Sequence, residues 1–174
     1  MGLSLTHRST RDGSGVASLV LRGMLGGTFI AHGVKHARTL DGTAGWFESI
    51  GFSQPKLQAQ ASAAVEIGAG AAVLAGVATP LSASAIVGTM AVAYKTVHEP
   101  NGFFITAEGW EYVGALSAAA VALSALGPGR YSVDHALGVD RRGTPAGRAA
   151  LTAVLGVAGA AVQLATFWRK PAAS

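Results

Sequence analysis

The chain predicts an all-α fold, a polytopic membrane bundle of five spanning helices, and three observations carry that expectation. Charged residues make up only 13% of the 174 residues. A soluble globular domain carries about 25%, so too little charge is present to cover a water-facing surface. Half of the chain is apolar and its mean hydropathy is +0.40. Five separate apolar stretches reach or approach the ~20 residues that cross a bilayer. Alanine and 24 glycines take the usual place of leucine, which suits close helix contact in lipid.

The stretches run over 16–37, 57–78, 81–97, 110–126 and 149–168. A polar tail, 1–15, precedes the first and places His7, Arg8 and Arg11 ahead of the apolar run. That order resembles a signal peptide. However, Arg22 interrupts the run and Gly33-Val34-Lys35-His36 continues it without a small-residue cleavage site, so a retained anchor is expected. The second stretch holds one charge, Glu66. Thr79-Pro80 separates it from the third by a turn so tight that the two helices must be antiparallel neighbours. Gly127-Pro128-Gly129 stops the fourth. A basic loop, 135–148, leads to the fifth and to a short tail ending at residue 174. Small residues four apart, namely Gly23 with Gly27, Gly68 with Ala72, Gly114 with Ala118 and Gly156 with Ala160, favour tight helix contacts.

The formal charge of +4 and pI near 9.9 arise in loops and tails. They read as membrane topology and lipid headgroup contact, not as a nucleic-acid surface. Basic residues outside the stretches slightly favour a cytoplasmic amino terminus. No cysteine is present, which excludes disulfides, thiol catalysis, cysteine-held iron–sulfur clusters and thiolate zinc sites.

Glu66 is the residue on which a functional reading turns. A bare carboxylate inside a bilayer costs several kcal/mol unless it is paired or neutral, so it faces a bundle interior and marks a site. Alternating the five spans brings several polar groups to one membrane side. His32, Lys35 and His36 end the first helix, Lys95 and His98 end the third, and Glu108, Trp110 and Glu111 open the fourth. Glu66 lies about 13 Å deep from that side. Trp46, Phe47, Phe52, Phe103, Phe104 and Trp110 stand in or beside the loops that would cap it. An apolar wall with a few orienting polar groups is the composition of a ligand pocket.

Blander readings stand beside this one. Lys35, Arg38, Lys95 and Trp110 suit ordinary interfacial anchoring, and Glu108 and Glu111 suit a helix amino terminus. A structural pair between Arg22 and Glu66 would bind the first two helices together. His32 and His36 are four apart on one helix face. That pair is compatible with metal or haem ligation, with Glu66 or His98 completing a site, but no spacing resembles a zinc or di-iron signature, so neither metal nor haem is expected. No phosphate-binding loop and no activated serine is evident.

Seven short pieces in order resemble the DoxX family of small prokaryotic membrane proteins, named for a subunit of an archaeal thiosulfate:quinone oxidoreductase. They are Leu21-Arg22, His32-Gly33-Val34-Lys35, Glu66 with Gly70, Gly76-Val77-Ala78-Thr79-Pro80, Met90-Ala91-Val92-Ala93, Glu108-Gly109-Trp110-Glu111-Tyr112, and Gly127 through Asp134. The resemblance covers 16–134 and implies a four-helix membrane core, which makes the stretch within 149–174 a fifth, added transmembrane helix. It further implies residence in the cytoplasmic membrane and a link to quinone-connected redox chemistry.

Three functions follow as expectations. In a quinone-associated redox subunit, Glu66, His32 and Glu111 would be the catalytic groups. Arg22, Lys35, Lys95, Phe104, Glu108 and Trp110 would bind the quinone, and a redox partner protein or homo-oligomer would supply the electrons. In a non-catalytic scaffold, the polar cluster fixes packing and the loops recruit redox enzymes. In a proton or small-molecule carrier, Glu66 is the switchable charge.

Overall fold

The structure, a computed structural model, describes residues 6–140 and 142–171, with side chains from Ser14 onward. The charges of His7, Arg8, Arg11 and Arg141 lie outside the described side chains. The first helix, α1, runs Thr6–Arg38, and its first ten residues include most of what the sequence reads as a polar tail. Next come α2 (Leu40–Ser49), α3 (Pro55–Ala75) and α4 (Thr79–Ala93). A π-helical turn, Tyr94–His98, continues α4 directly. After two 3₁₀ turns follow α5 (Glu111–Leu126), the single-turn α6 (Val133–Ala136) and α7 (Pro145–Phe167). The described residues form no β-strand.

Each boundary has a local cause. Proline occupies the first turn of α3, α4 and α7, where its missing N–H costs nothing. Gly76 ends α3 in the left-handed region (φ 68°). Its N–H bonds back to Val73 and that of Val77 to Ala72, the paired bonds of a Schellman stop. The reversal between α3 and α4 therefore occupies Gly76–Ala78, and Thr79-Pro80 already belongs to α4. Gly127 ends α5, as its Gly-Pro-Gly sequence predicts.

Two apolar clusters hold the bundle. The larger joins α1, α3, α4 and α5 through Leu25, Phe29, Val73, Ile86, Leu116 and Leu123. The smaller sets Phe47 and Phe52 of the α2 region against Ala59, Val92 and Ala160. Helix α7 packs along α4 and α5, so the fifth helix is integral to the described bundle. Residues 40–49, expected as loop, form the amphipathic α2, with Leu40, Ala44 and Phe47 on its packed side.

Close helix approach depends on glycine, at positions the four-apart pairs only partly anticipate. A Cβ at Gly33 of α1 would lie 2.7 Å from Ile67 Cγ1 and 2.9 Å from Glu66 Cβ. Gly26 and Gly70 meet at the same α1–α3 crossing. Gly156 is pressed against Val87 at the α4–α7 crossing, whereas Gly23, Gly27 and Gly68 face open space.

Ser14–Arg38 and Pro145–Phe167 are long and apolar enough to cross a membrane, and α5 is a shorter apolar helix. Their apolar windows are only 28% and 17% buried, the reverse of a soluble core helix.

Candidate functional site

At one pole of the bundle the carboxy-terminal turns of α1, α4 and α7 meet the amino-terminal turns of α3 and α5, with α2 lying across them. A cavity of about 530 Å³ opens there, lined by these six helices and the π turn. Its walls are mostly apolar, with Phe29, Trp46, Phe47, Val113 and Phe167 among them. Its polar groups come from Thr28, His32 and His36 of α1, Gln58, Ser62 and Glu66 of α3, Thr89 of α4, Thr96 and His98 of the π turn, Tyr112 of α5 and Gln163 of α7.

Glu66 is buried at 5% exposure. Ser62, one turn earlier on α3, donates its hydroxyl to Glu66 Oε1 at 2.7 Å. His36 Nδ1 lies 3.3 Å from the same Ser62 oxygen. Because the one hydroxyl hydrogen of Ser62 goes to Glu66, His36 meets Ser62 as the donor. His36 Nδ1 is also 3.2 Å from Glu66 Oε2, within ion-pair range when the imidazole is protonated. That approach is not aligned as a hydrogen bond, and Oε2 remains buried without a hydrogen-bond partner. A buried acceptor left so costs about 1–3 kcal/mol. The cost stands at a cavity wall, where a ligand can remove it.

Gln58, Gln163 and His98 at the cavity are already engaged. Gln163 Nε2 donates to Gln58 Oε1 at 3.1 Å, tying α7 to α3. His98 Nδ1 is 2.6 Å from the Glu108 carbonyl. A carbonyl only accepts, so that nitrogen carries the proton. Among the described residues no three histidine or acidic side chains converge as metal ligands.

The remaining sequence-predicted site residues sit near this pole without lining the cavity. Glu111 Oε2 accepts from the Ile105 N–H at 3.0 Å and holds the loop before α5. Glu108 is exposed in a left-handed conformation (φ 61°). Lys95 pairs with Glu99 at 2.5 Å on the surface, and Lys35 is exposed at the end of α1. Phe104 packs edge-on against Phe103, which packs on Trp110, which meets Tyr94. This aromatic group lies beside the cavity.

Arg22 lies toward the other pole and makes no pair with Glu66. Its guanidinium donates to four carbonyls, those of Val73, Leu74, Pro128 and Tyr131, at 2.5–3.1 Å. It thereby satisfies the carboxy-terminal carbonyls of α3 and ties them to the loop after α5. Asp134 completes this knot. Its carboxylate accepts from the Ala78 N–H, the Thr79 N–H and the Thr79 hydroxyl at 2.7–2.9 Å. The charge of Asp134 also acts on Arg22. Arg148 does for α5 what Arg22 does for α3, donating to the carbonyls of Ser124 and Ala125. Leu21-Arg22, Gly76–Pro80 and Gly127–Asp134 thus converge on one structural junction, remote from Glu66.

The DoxX family model matches residues 17–99. The chain carries a DoxX domain. The match extends from α1 through the π turn, so it contains His32, His36, Ser62, Glu66 and His98. The Glu108–Tyr112 and Gly127–Asp134 pieces fall beyond it. No curated protein and no solved structure matches the sequence. The DoxX match and two helices long and apolar enough to cross a bilayer are consistent with a membrane protein.

Sequence reasoning placed Glu66, His32, His36 and His98 at one pole, and all four line the cavity. It missed Ser62, although Ser62 stands four residues before Glu66 and shares its helix face. It missed the Gln58–Gln163 bridge, which only the α3–α7 packing brings together.

Proposed function

We propose that this DoxX protein is a multi-pass protein of a prokaryotic cytoplasmic membrane, with a four-helix core and α7 as a fifth span, and that its cavity is a quinone site serving a membrane redox enzyme. The multi-pass reading is supported by Val16, Val20, Leu81, Val154, Val157 and Val162, each more than half exposed on the outside of the bundle. Helix α4 and its π continuation together reach about 30 Å at ~1.5 Å per residue.

One observation carries the quinone reading: buried Glu66, with Oε2 free of hydrogen bonds, on the wall of a mostly apolar cavity. The residues fit such a group. The volume lies within the 300–1,000 Å³ typical of ligand sites, apolar walls suit an isoprenoid tail, and the orienting groups cluster on α1 and α3. A quinone supplies two-electron, two-proton redox chemistry when bound. On the protein side, His32 orients the headgroup and Trp46 provides an aromatic wall. Ser62 and His36 fix the Glu66 carboxylate, which accepts or returns a proton at Oε2. Glu111, Lys35, Lys95, Glu108, Phe104 and Trp110 shape the mouth without touching the ligand. Electrons come from a partner protein, since the chain has no cysteine for a cluster or dithiol.

A scaffold would need Glu66 consumed by Arg22 and no cavity, and neither condition is met. The observation in favour of recruitment is the exposed Phe103-Phe104-Ile105 turn beside the cavity. The test is a titration of the detergent-purified protein with a short-chain quinone, following tryptophan fluorescence. Saturable quenching of Trp46, weakened at least tenfold in Glu66→Gln and His32→Ala, is expected. Folded variants that bind as well as the parent, or a parent that does not bind, would remove the quinone site and leave the scaffold.

A further inference from the structure

The polar groups around Glu66 leave one buried acceptor of the cavity without a donor. The hydroxyl hydrogen of Ser62 goes to Glu66 Oε1. Thr89 donates to the Ala85 carbonyl and Thr96 to the Val92 carbonyl, each within its own helix. His98 spends its Nδ1 proton on the Glu108 carbonyl. These groups spend their protons inside the protein, whereas Glu66 Oε2 is a buried acceptor without a hydrogen bond. An ionised carboxylate accepts only. Among the described residues no lysine or arginine lines the cavity, and the His36 imidazole already stands 3.2 Å from Glu66 Oε2, so an anionic ligand would meet the charge of Glu66 without a fixed cation of its own.

From this we infer that the cavity takes a neutral amphiphile presenting a hydroxyl donor, which in a quinone pool means the reduced, quinol form. The inference rests on the quinone reading and adds its redox selectivity. A quinol offers phenolic O–H groups, whereas a quinone offers only carbonyl acceptors. A hydroxyl donated to Glu66 Oε2 is a charge-assisted bond in a low-dielectric site, stronger than a neutral one. Ser62 and His36 hold the carboxylate in place, so little ordering accompanies binding. Small oxyanions are disfavoured for want of a lysine or arginine among the described lining residues.

Calorimetric titration of the wild-type protein in mild detergent, without oxygen, tests this with three probes of one ring and tail: a short-chain ubiquinol, its quinone, and the quinol dimethyl ether. The quinol is expected to bind at least tenfold more tightly than the quinone, a ratio set by one hydrogen bond to a charged group. The dimethyl ether keeps the ring and tail but loses both donors, and should bind no better than the quinone. In Glu66→Gln both ligands should bind more weakly, the quinol losing more, so that the preference falls below threefold, because the amide offers donor and acceptor alike. Equal binding of quinol and quinone by the wild type, or tighter binding of quinone, overturns the selectivity and leaves the quinone site standing. Failure of all three probes to bind overturns both. The ether comparison needs no variant, so it decides even where Glu66→Gln does not fold.

Discussion

Replacing Asp134 by alanine separates the two poles of this molecule most sharply. The Asp134 carboxylate accepts three hydrogen bonds, from Ala78 N, Thr79 N and Thr79 Oγ1, and stands at the positive end of α4. Thr79 is 1% exposed, so water cannot replace the lost acceptor. Two buried donors of Thr79 are then orphaned at about 1–3 kcal/mol each, and an N-cap removal costs about 1 kcal/mol in its own right. Since these overlap, the expected loss is about 3–5 kcal/mol. For a chain of this size each kcal/mol lowers the melting temperature by about 2–4 °C, so the midpoint in detergent should fall by about 10 °C. Asp134→Asn keeps the shape but turns an amide N–H toward a donor, and should lose roughly half as much. Ligand binding, measured where both variants remain folded, should be unchanged, because Asp134 is remote from the cavity. A midpoint within 3 °C of the parent for Asp134→Ala would refute the junction as a source of stability. A binding defect in the folded protein would refute its separation from the site.

The α1–α3 crossing makes a paired prediction. Gly33→Ala places a methyl group 2.7 Å from Ile67 Cγ1 and 2.9 Å from Glu66 Cβ, so it should cost about 1–3 kcal/mol by overpacking and weaken ligand binding by displacing Glu66 from His36. Gly23→Ala meets nothing within 4 Å and should leave binding unchanged while adding up to about 1 kcal/mol of helix stability; both are read by thermal melts and titration. Arg22→Lys exchanges a guanidinium that serves four carbonyls for an ammonium with three donors on a different geometry. It should destabilise by about 1–3 kcal/mol per carbonyl left unpaired, with quinone affinity preserved in the protein that remains folded. An Arg22→Lys variant as stable as the parent would remove the guanidinium's special role.

The long helices were legible because apolar runs of spanning length are punctuated by Thr79-Pro80 and Gly127-Pro128-Gly129, and each mark lies within a few residues of an observed boundary. Helix α2 was overlooked because Gly42 and Gly45 disguise it as loop, although Leu40, Ala44 and Phe47 already keep helical spacing. The π turn at Tyr94–His98 has no sequence signature. Within the site, Glu66 was legible from the cost of a lone buried carboxylate. Depth along the bundle could be read for Lys35, Lys95, Glu108, Trp110 and Glu111, but rotation about each helix axis could not. The spans that carry these positions are rich in alanine and glycine, so no strong apolar stripe marks the inward face. Arg22 illustrates the same limit differently. Sequence offered Glu66 as its only charged partner in the neighbouring span, whereas four backbone carbonyls, silent in any pattern, satisfy it.

The central claim is that a quinone-type headgroup occupies the cavity at Glu66, and photolabelling addresses it most directly. The protein, reconstituted in liposomes, is irradiated with a short-chain azidoquinone, with and without excess unlabelled quinone, and labelled peptides are located by mass spectrometry. We predict competable label on the lining segments of α1 and α3, around His32–His36 and Ser62–Glu66, together with Trp46 of α2. Label spread over the exposed outer faces of α1 and α7 around Val20 and Val154, undiminished by competitor, would contradict the claim.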